Sequence, residues 1–456
     1  MRCRPRGDNG QVVVGFAAAA VFLLAMIGLA IDLGMAYLVK TKLSAAVDAA
    51  ALAAGRVVGQ GESAANAEAA KFFAVNYPEG LLGASVAIPS TTFRYDDKEK
   101  SWEVTVRTTA TAPAYFAKVV GRNTFTVGAS GTVTTAPVDL VLVLDTSGTM
   151  KNPNVSVLES LKSAARNFLT YFNPNNDRIG LIRFASGVEE DFKITGKRGF
   201  NSEKMQELLG SNQVQASGYT TAEEALRCAK QQLDSIPRSD QSRQRIIVFF
   251  TDGAPNGVAA TFATNAGPKV GVVSSQGDKD PEAGDKVRLE HLYRADRVNS
   301  DLKPNGGQLD ATSLATLPAT DWTGTVNLAS YNNARDVLPY VNPDDLEAKK
   351  CNVNRAARNM TENIANAARS ESGEQGNPIT IFTIGLGAKL TDLELRCPEY
   401  GSSENGENIM KRLANVPGGD TYNSSQPSGI YAFARDQSQL NAAFHSVVMR
   451  ILRLSK

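Results

Sequence analysis

The stretch "LVLDTSGTM", residues 142–150, ends an apolar run on an aspartate, a serine and a threonine at every second position, with a glycine among them. Its first residues belong to "VDLVLVLD" (138–145), a nearly continuous apolar segment of the kind that forms a strand buried on both faces. A spacing of two puts Asp145, Ser147 and Thr149 on one side of an extended chain, and Gly148 allows a sharp turn. Three oxygen-bearing side chains are therefore expected to converge where a buried strand ends.

Outward from this junction the elements alternate. "VSVLESLKSAARNFLTYF" (155–172) has helical spacing, "DRIGLIRFAS" (177–186) reads as a strand and "TAEEALRCAKQQLDSI" (221–236) as a helix. "QRIIVFFTDG" (244–253), "AARNMTENIANAARS" (356–370), "ITIFTIGLG" (379–387) and "QLNAAFHSVVMRILRL" (439–454) continue as strand, helix, strand and helix. Buried strands alternating with helices predict an α/β fold with a doubly wound, mostly parallel, Rossmann-like sheet over residues 137–456. Ligands of such sheets bind beyond the carboxyl ends of the strands. Asp145 stands at one such end and Asp252, in "FFTDG", at another.

The N-terminus sets the compartment. Residues 12–31, "VVVGFAAAAVFLLAMIGLAI", lack any charge or hydrogen-bonding side chain, and as a helix would measure about 30 Å, the thickness of a bilayer core. Residues 11–32 are read as a transmembrane helix. Arg2, Arg4 and Arg6 precede it, so residues 1–10 form a basic tail expected to stay in the cytoplasm while the remaining chain crosses. A cleaved signal peptide is the competing reading, but its apolar core is shorter, roughly 7 to 15 residues. A pilin-type leader cut after Gly10 would resemble a glycine followed five residues later by a glutamate, and Gly15 stands there instead.

Residues 33–76 follow as a helical, alanine-rich stalk, without proline and with seven alanines between Ala45 and Ala54. Its small side chains suit either packing on its own domain or close pairing with a partner helix. Residues 77–136 read as a small α+β module: "TTFRYDDKEKSWEVTVRT" (91–108) as a hairpin, "PAYFAKVVG" (113–121) as a short helix and "NTFTVGASGTVTT" (123–135) as a strand.

Composition excludes several functions. Of 456 residues, 48 are basic and 47 acidic, a net charge of +1 that offers no global field for nucleic acid. His291 and His445, the two histidines, lie outside any zinc-hydrolase spacing. Neither a GxSxG elbow nor a GxxxxGK[ST] loop occurs. No enzyme activity is expected.

"DTSGT", the threonines of "SGYTT" (217–221) and "TDG" after an apolar strand resemble the von Willebrand factor type A domain with its metal-ion-dependent adhesion site. The resemblance implies that Ser147, Thr149 and Thr220 offer hydroxyls directly to a metal while Asp145 and Asp252 act mostly through bound waters. Thr149 stands where serine is usual, and either Thr220 or Thr221 could serve in the second loop. Two carboxylates with three hydroxyls make an all-oxygen site of low charge, suited to Mg²⁺, with Mn²⁺ or Ca²⁺ as alternatives. The ion would stay electrophilic and bind an acidic side chain of a protein partner.

The opening segment from Gly10 to Gly55 is also similar to the start of TadG-like proteins of the tight-adherence (Flp) pilus system, and "AAFHSVVMRILRLSK" (442–456) to their end. This resemblance implies a single-pass protein of the bacterial inner membrane, its bulk in the periplasm, acting with pilus or secretion-system components in assembly or adhesion. The alternative is a membrane-tethered A-domain regulator or scaffold of another envelope complex.

With Cys3 on the cytoplasmic side, Cys351 and Cys397 are the expected disulfide, contributing roughly 4 kcal/mol in the chain-entropy model. Cys228, inside a predicted helix, reads as a small buried thiol. An insertion at about 256–350, rich in Gly, Asn, Asp and Pro, leaves directly after Asp252 and is expected to cap the metal face and select the partner.

Overall fold

The computed structural model describes residues 9–97, 101–151, 157–264, 267–275, 278–279, 287–288, 292–298, 317–326, 346–371, 376–392 and 405–454. Two compact units divide the chain, Met1–Thr135 and Ala136–Ser455.

In the first unit a single helix, α1 (Asn9–Val57), runs from the apolar span into the alanine-rich stretch. Large apolar residues of the span, Val12, Phe16, Phe22 and Leu24 among them, are exposed, as expected of a surface built for lipid. Past the span the same helix turns a buried face of Val39, Leu43, Ala46, Val47, Ala50 and Ala54 toward its own unit. That face shares a core with Ala65, Ala69 and Phe73 of α2 (Glu62–Asn76). It also packs on an antiparallel sheet of β1 (Ser85–Val86), β2 (Ser90–Asp96), β3 (Ser101–Pro113) and β4 (Thr124–Thr135). Between packing on its own domain and pairing with a partner helix, the alanine stretch takes the first course.

The expected hairpin forms, with Phe93 opposite Val104 and Asp96 opposite Ser101. "PAYFAKVVG" differs from expectation. Pro113 closes β3 opposite Thr124, and the helical part is only a 3-10 turn, Ala117–Val120. Its leading backbone donors are satisfied from outside the turn, by the carboxylate of Asp32, so no longer helix is needed to pair them.

The second unit opens with β5 (Val138–Asp145), α3 (Val157–Leu169), β6 (Arg178–Phe184), β7 (Val188–Phe192), α4 (Ser202–Gly210), α5 (Ala222–Asp234) and β8 (Gln244–Thr251). A hairpin of β9 (Gly257–Phe262) and β10 (Lys269–Ser274) and a two-residue ladder of β11 (Asp278–Lys279) and β12 (Val287–Arg288) follow. The unit ends with α6 (Leu346–Arg369), β13 (Ile379–Leu386), α7 (Gly406–Leu413), β14 (Tyr431–Ala434) and α8 (Leu440–Leu454). Six strands form the sheet in the order β14-β13-β8-β5-β6-β7. All are parallel except the edge strand β7.

Alternate residues of β5 point to opposite cores. Leu140, Leu142 and Leu144 pack with Phe168 of α3 and Phe444 of α8, whereas Val141 and Val143 pack with Leu226 of α5, Ile364 of α6 and Met410 of α7. Helices thus cover both faces, the doubly wound arrangement expected from the sequence.

Candidate metal centre

Pairing in the sheet brings the two aspartates together. β5 and β8 run parallel with Leu144 opposite Phe250, so Asp145 and the Thr251–Asp252 pair reach the same carboxyl edge side by side. The chain stays extended only through Ser147 (φ −63°, ψ 167°), then enters a 3-10 turn at Gly148–Met150. Thr149 is therefore carried to the cluster by the turn, and a fully extended strand is not what aligns it.

The side chains form a continuous polar relay. The Ser147 backbone N–H donates to Asp145 Oδ1 at 2.7 Å, Ser147 Oγ lies 3.0 Å from Thr149 Oγ1, and Thr149 Oγ1 donates to Asp252 Oδ1 at 2.7 Å. The Thr251 hydroxyl donates to Asp145 Oδ2. Asp145 is wholly buried, Asp252 nearly so and Thr149 exposed, so the cluster leads from the core to the surface.

The two second-loop threonines separate by their hydroxyls. Thr221 Oγ1 donates to the Ser186 carbonyl at 2.9 Å, inside the fold. Thr220 Oγ1 instead faces the turn after Asp252, where a Cβ built on Gly253 would stand 3.7 Å from it. Asn256 fixes that loop: its Oδ1 accepts from the Thr220 N–H at 2.8 Å, and its own N–H donates to the Thr220 carbonyl at 3.0 Å. The first loop is tied to the second where the Gly148 N–H donates to the Gly218 carbonyl at 3.0 Å.

Burial pushes the Asp145 carboxyl up to about 7, and the neighbouring charge of Asp252 adds to the rise. Asp252 is also raised by burial, against the opposing pull of the Thr149 hydrogen bond and the Lys389 ammonium. Among the described residues neither carboxylate has an ion-pair partner within contact. No group of three or more His, Cys, Asp or Glu side chains gathers among them either. Two adjoining carboxylates beside hydroxyls are an all-oxygen donor set of low charge, which fits a hard divalent cation that keeps several waters.

Sequence reasoning missed Thr251, Asn256, Ser186 and Lys389. Thr251 was visible in "TDG" as a hydroxyl next to the aspartate. Asn256, Ser186 and Lys389 come from separate loops, and only tertiary pairing brings them to the site. Described parts of the insertion lie over the second loop and the β6–β7 turn: Tyr293 Oη is 3.2 Å from Tyr219 Oη, and the N–H groups of Ser186 in that turn and Val188 at its end donate to the carbonyls of Val298 and Ala295. Cys228 is a free, buried thiol, pushed up to about 12 by burial and the Glu224 charge. Cys351 is buried in α6, while its expected partner Cys397 lies outside the described residues, as does much of the insertion.

Sheet order and flanking helices are those of a von Willebrand factor type A-like α/β fold, and residues 140–255 match the family described as von Willebrand factor type A domain. That match includes all five candidate site positions. Residues 10–59, which make up most of α1, match the family described as Flp pilus-assembly TadE/G-like. With the long apolar helix at the start of the chain, this fits a membrane-anchored protein. Among solved structures, the vWF domain of the type V pili tip protein Mfa5 from Porphyromonas gingivalis is 16% identical, covering 71% of this chain and 97% of that one (TM-score 0.39). The PilB minor pilin from Streptococcus sanguinis is 14% identical over 83% of this chain and 81% of that one (TM-score 0.39). The pilus adhesin SpaC from Lactobacillus rhamnosus GG is 16% identical over 80% of this chain and 34% of that one (TM-score 0.39). No curated protein matches the chain.

Proposed function

We propose that the chain is an inner-membrane-anchored periplasmic protein of pilus assembly or adhesion, which grips an acidic side chain of a partner through a divalent ion. The relay Asp145–Ser147–Thr149–Asp252 at adjoining strand ends carries this reading. Ser147, Thr149 and Thr220 would offer hydroxyls to Mg²⁺, and Asp145 and Asp252 would hold its waters. When bound, the ion would supply an electrophilic position for a carboxylate. Asp145 and Asp252 are buried at the base of the cluster, and the exposed Thr149 marks the side from which a partner approaches.

Binding is favoured over catalysis because the hydroxyls of Ser147 and Thr149 and the carboxylate of Asp252 are bonded to one another as a ligand set for the ion, with no histidine among the described residues of the cluster to act as a separate base. The arginines at positions 2, 4 and 6 support a cytoplasmic N-terminus with both folded units across the membrane. The insertion, whose described parts brace the Thr220 loop, would act as the cap that selects the partner. A Cys351–Cys397 disulfide suits that oxidising compartment.

In-cell crosslinking of the full-length protein beside Asp252→Ala, with captured proteins identified by mass spectrometry, tests the reading. Pilus or secretion components captured by the native chain and lost from the variant are expected. Equal capture by both would remove the metal site from recognition. Capture of a different envelope complex would move the chain to a regulator or scaffold role.

A further inference from the structure

The 3-10 turn after β3 presents apolar side chains outward, where a soluble surface would carry polar ones. Val119 is 91% exposed, Val120 74%, Tyr115 53% and Phe116 50%. Single exposed hydrophobics need no explanation, but a contiguous patch does. This patch continues directly onto the apolar span. Phe116 lies over Gly28, where an added Cβ would come within 2.6 Å of Phe116 Cβ. Phe116, Val119 and Val120 then bound a cavity of about 410 Å³ whose opposite wall is Val21, Leu24, Ala25 and Leu29 of α1.

Depth follows from helix geometry. Asp32 is the first charged residue after the apolar stretch, and Gly28 lies one helical turn nearer the N-terminus, about 6 Å deeper along the axis. The turn therefore leaves the level of Asp32 and descends beside the part of α1 read as membrane-spanning.

Backbone pairing allows that descent. Asp32 is buried and its carboxylate accepts the N–H groups of Tyr115, Phe116 and Ala117 at 3.0, 2.9 and 2.7 Å. Ala114 N–H donates to the Asn123 carbonyl, Val119 to Phe116, Gly121 to Lys118 and Arg122 to Ala117. A segment can enter lipid only when its donors are satisfied internally, and here those of Tyr115, Phe116, Ala117, Val119 and Gly121 are. Lys118, exposed between the apolar positions, has the flexible stem that lets an ammonium reach the headgroups from a shallow site.

We infer that the Tyr115–Gly121 turn is a second membrane contact: it inserts into the acyl region of the bilayer leaflet next to Asp32 and seats the first unit on the membrane surface. This rests on residues 12–31 spanning the bilayer. The partner surface is the phospholipid bilayer itself, because the patch is continuous with the lipid-facing helix.

The test uses the full chain with Trp102→Phe and Trp322→Phe, reconstituted in phosphatidylcholine vesicles with or without brominated acyl chains. Into it are placed Val119→Trp, Leu24→Trp in the span, or Val75→Trp on the exposed face of α2. The inference predicts that the Val119→Trp and Leu24→Trp indoles emit to the blue and lose most of their intensity in brominated vesicles, while the Val75→Trp indole does neither. Quenching at Leu24→Trp without quenching at Val119→Trp would overturn the inference and leave the span standing. A blue-shifted but unquenched Val119→Trp indole would show a protein cover in place of lipid, and would overturn it equally. Absence of quenching at both sites would remove the span and the inference together.

Discussion

At Asp145 the fold buries a carboxylate completely and sets a second one, Asp252, beside it. Its proton is held up to about pH 7 in the folded state, against an ordinary value of 3.8. The folded chain therefore binds more protons than the unfolded chain across that window, and stability falls as pH rises through it. In chelator, thermal denaturation of the full chain should show stability declining between about pH 5 and about pH 7. Asp145→Asn, which cannot ionise, should show a shallower decline, and Mg²⁺ should flatten the wild-type curve by favouring the ionised carboxylate. Equal slopes for wild type and Asp145→Asn would contradict this account of the site. The oxygen donors themselves were legible as residue types at the ends of apolar runs. What separates Thr220 from Thr221 was not, since it depends on the Ser186 carbonyl and Asn256, two loops away from it in the chain.

Element by element, the strands and helices of the A domain were readable because their periodicity and their burial agree. Every residue of β5 is buried, as its nearly continuous apolar run requires, with Asp139 paired to Arg178. The short segment at 113–121 was misread as a helix because the carboxylate that satisfies its donors sits some eighty residues earlier, in α1. The alanine stretch was ambiguous for a related reason. Small side chains permit close approach without saying to what, and the answer lies in β4. A Cβ on Gly131 would meet Asp48 Oδ1 at 2.6 Å and Asp48 Cα at 3.2 Å, whereas one on Gly128 meets nothing closer than 3.8 Å. Gly131→Ala should thus push α1 off the sheet and cost about 1–3 kcal/mol, with Gly128→Ala close to neutral. Hydrogen exchange would show faster amide exchange in α1 and β4 for Gly131→Ala and unchanged exchange in the second unit. Equal protection in the two variants would mean that the helix is not held by that approach.

For the whole molecule, the order of parts along the chain supplies the functional reasoning: an apolar helix, a helix-on-sheet unit built around its continuation, and an A domain with oxygen donors at adjoining strand ends. The central claim is that these donors hold a divalent ion, and titration of the full-length protein in nanodiscs with Mn²⁺, followed by the loss of the free-ion electron paramagnetic resonance signal, tests it most directly. The account predicts saturable uptake of one ion per chain, competed by Mg²⁺ and lost in Asp252→Ala. Undiminished uptake in Asp252→Ala, or no saturable uptake by the native chain, would contradict it.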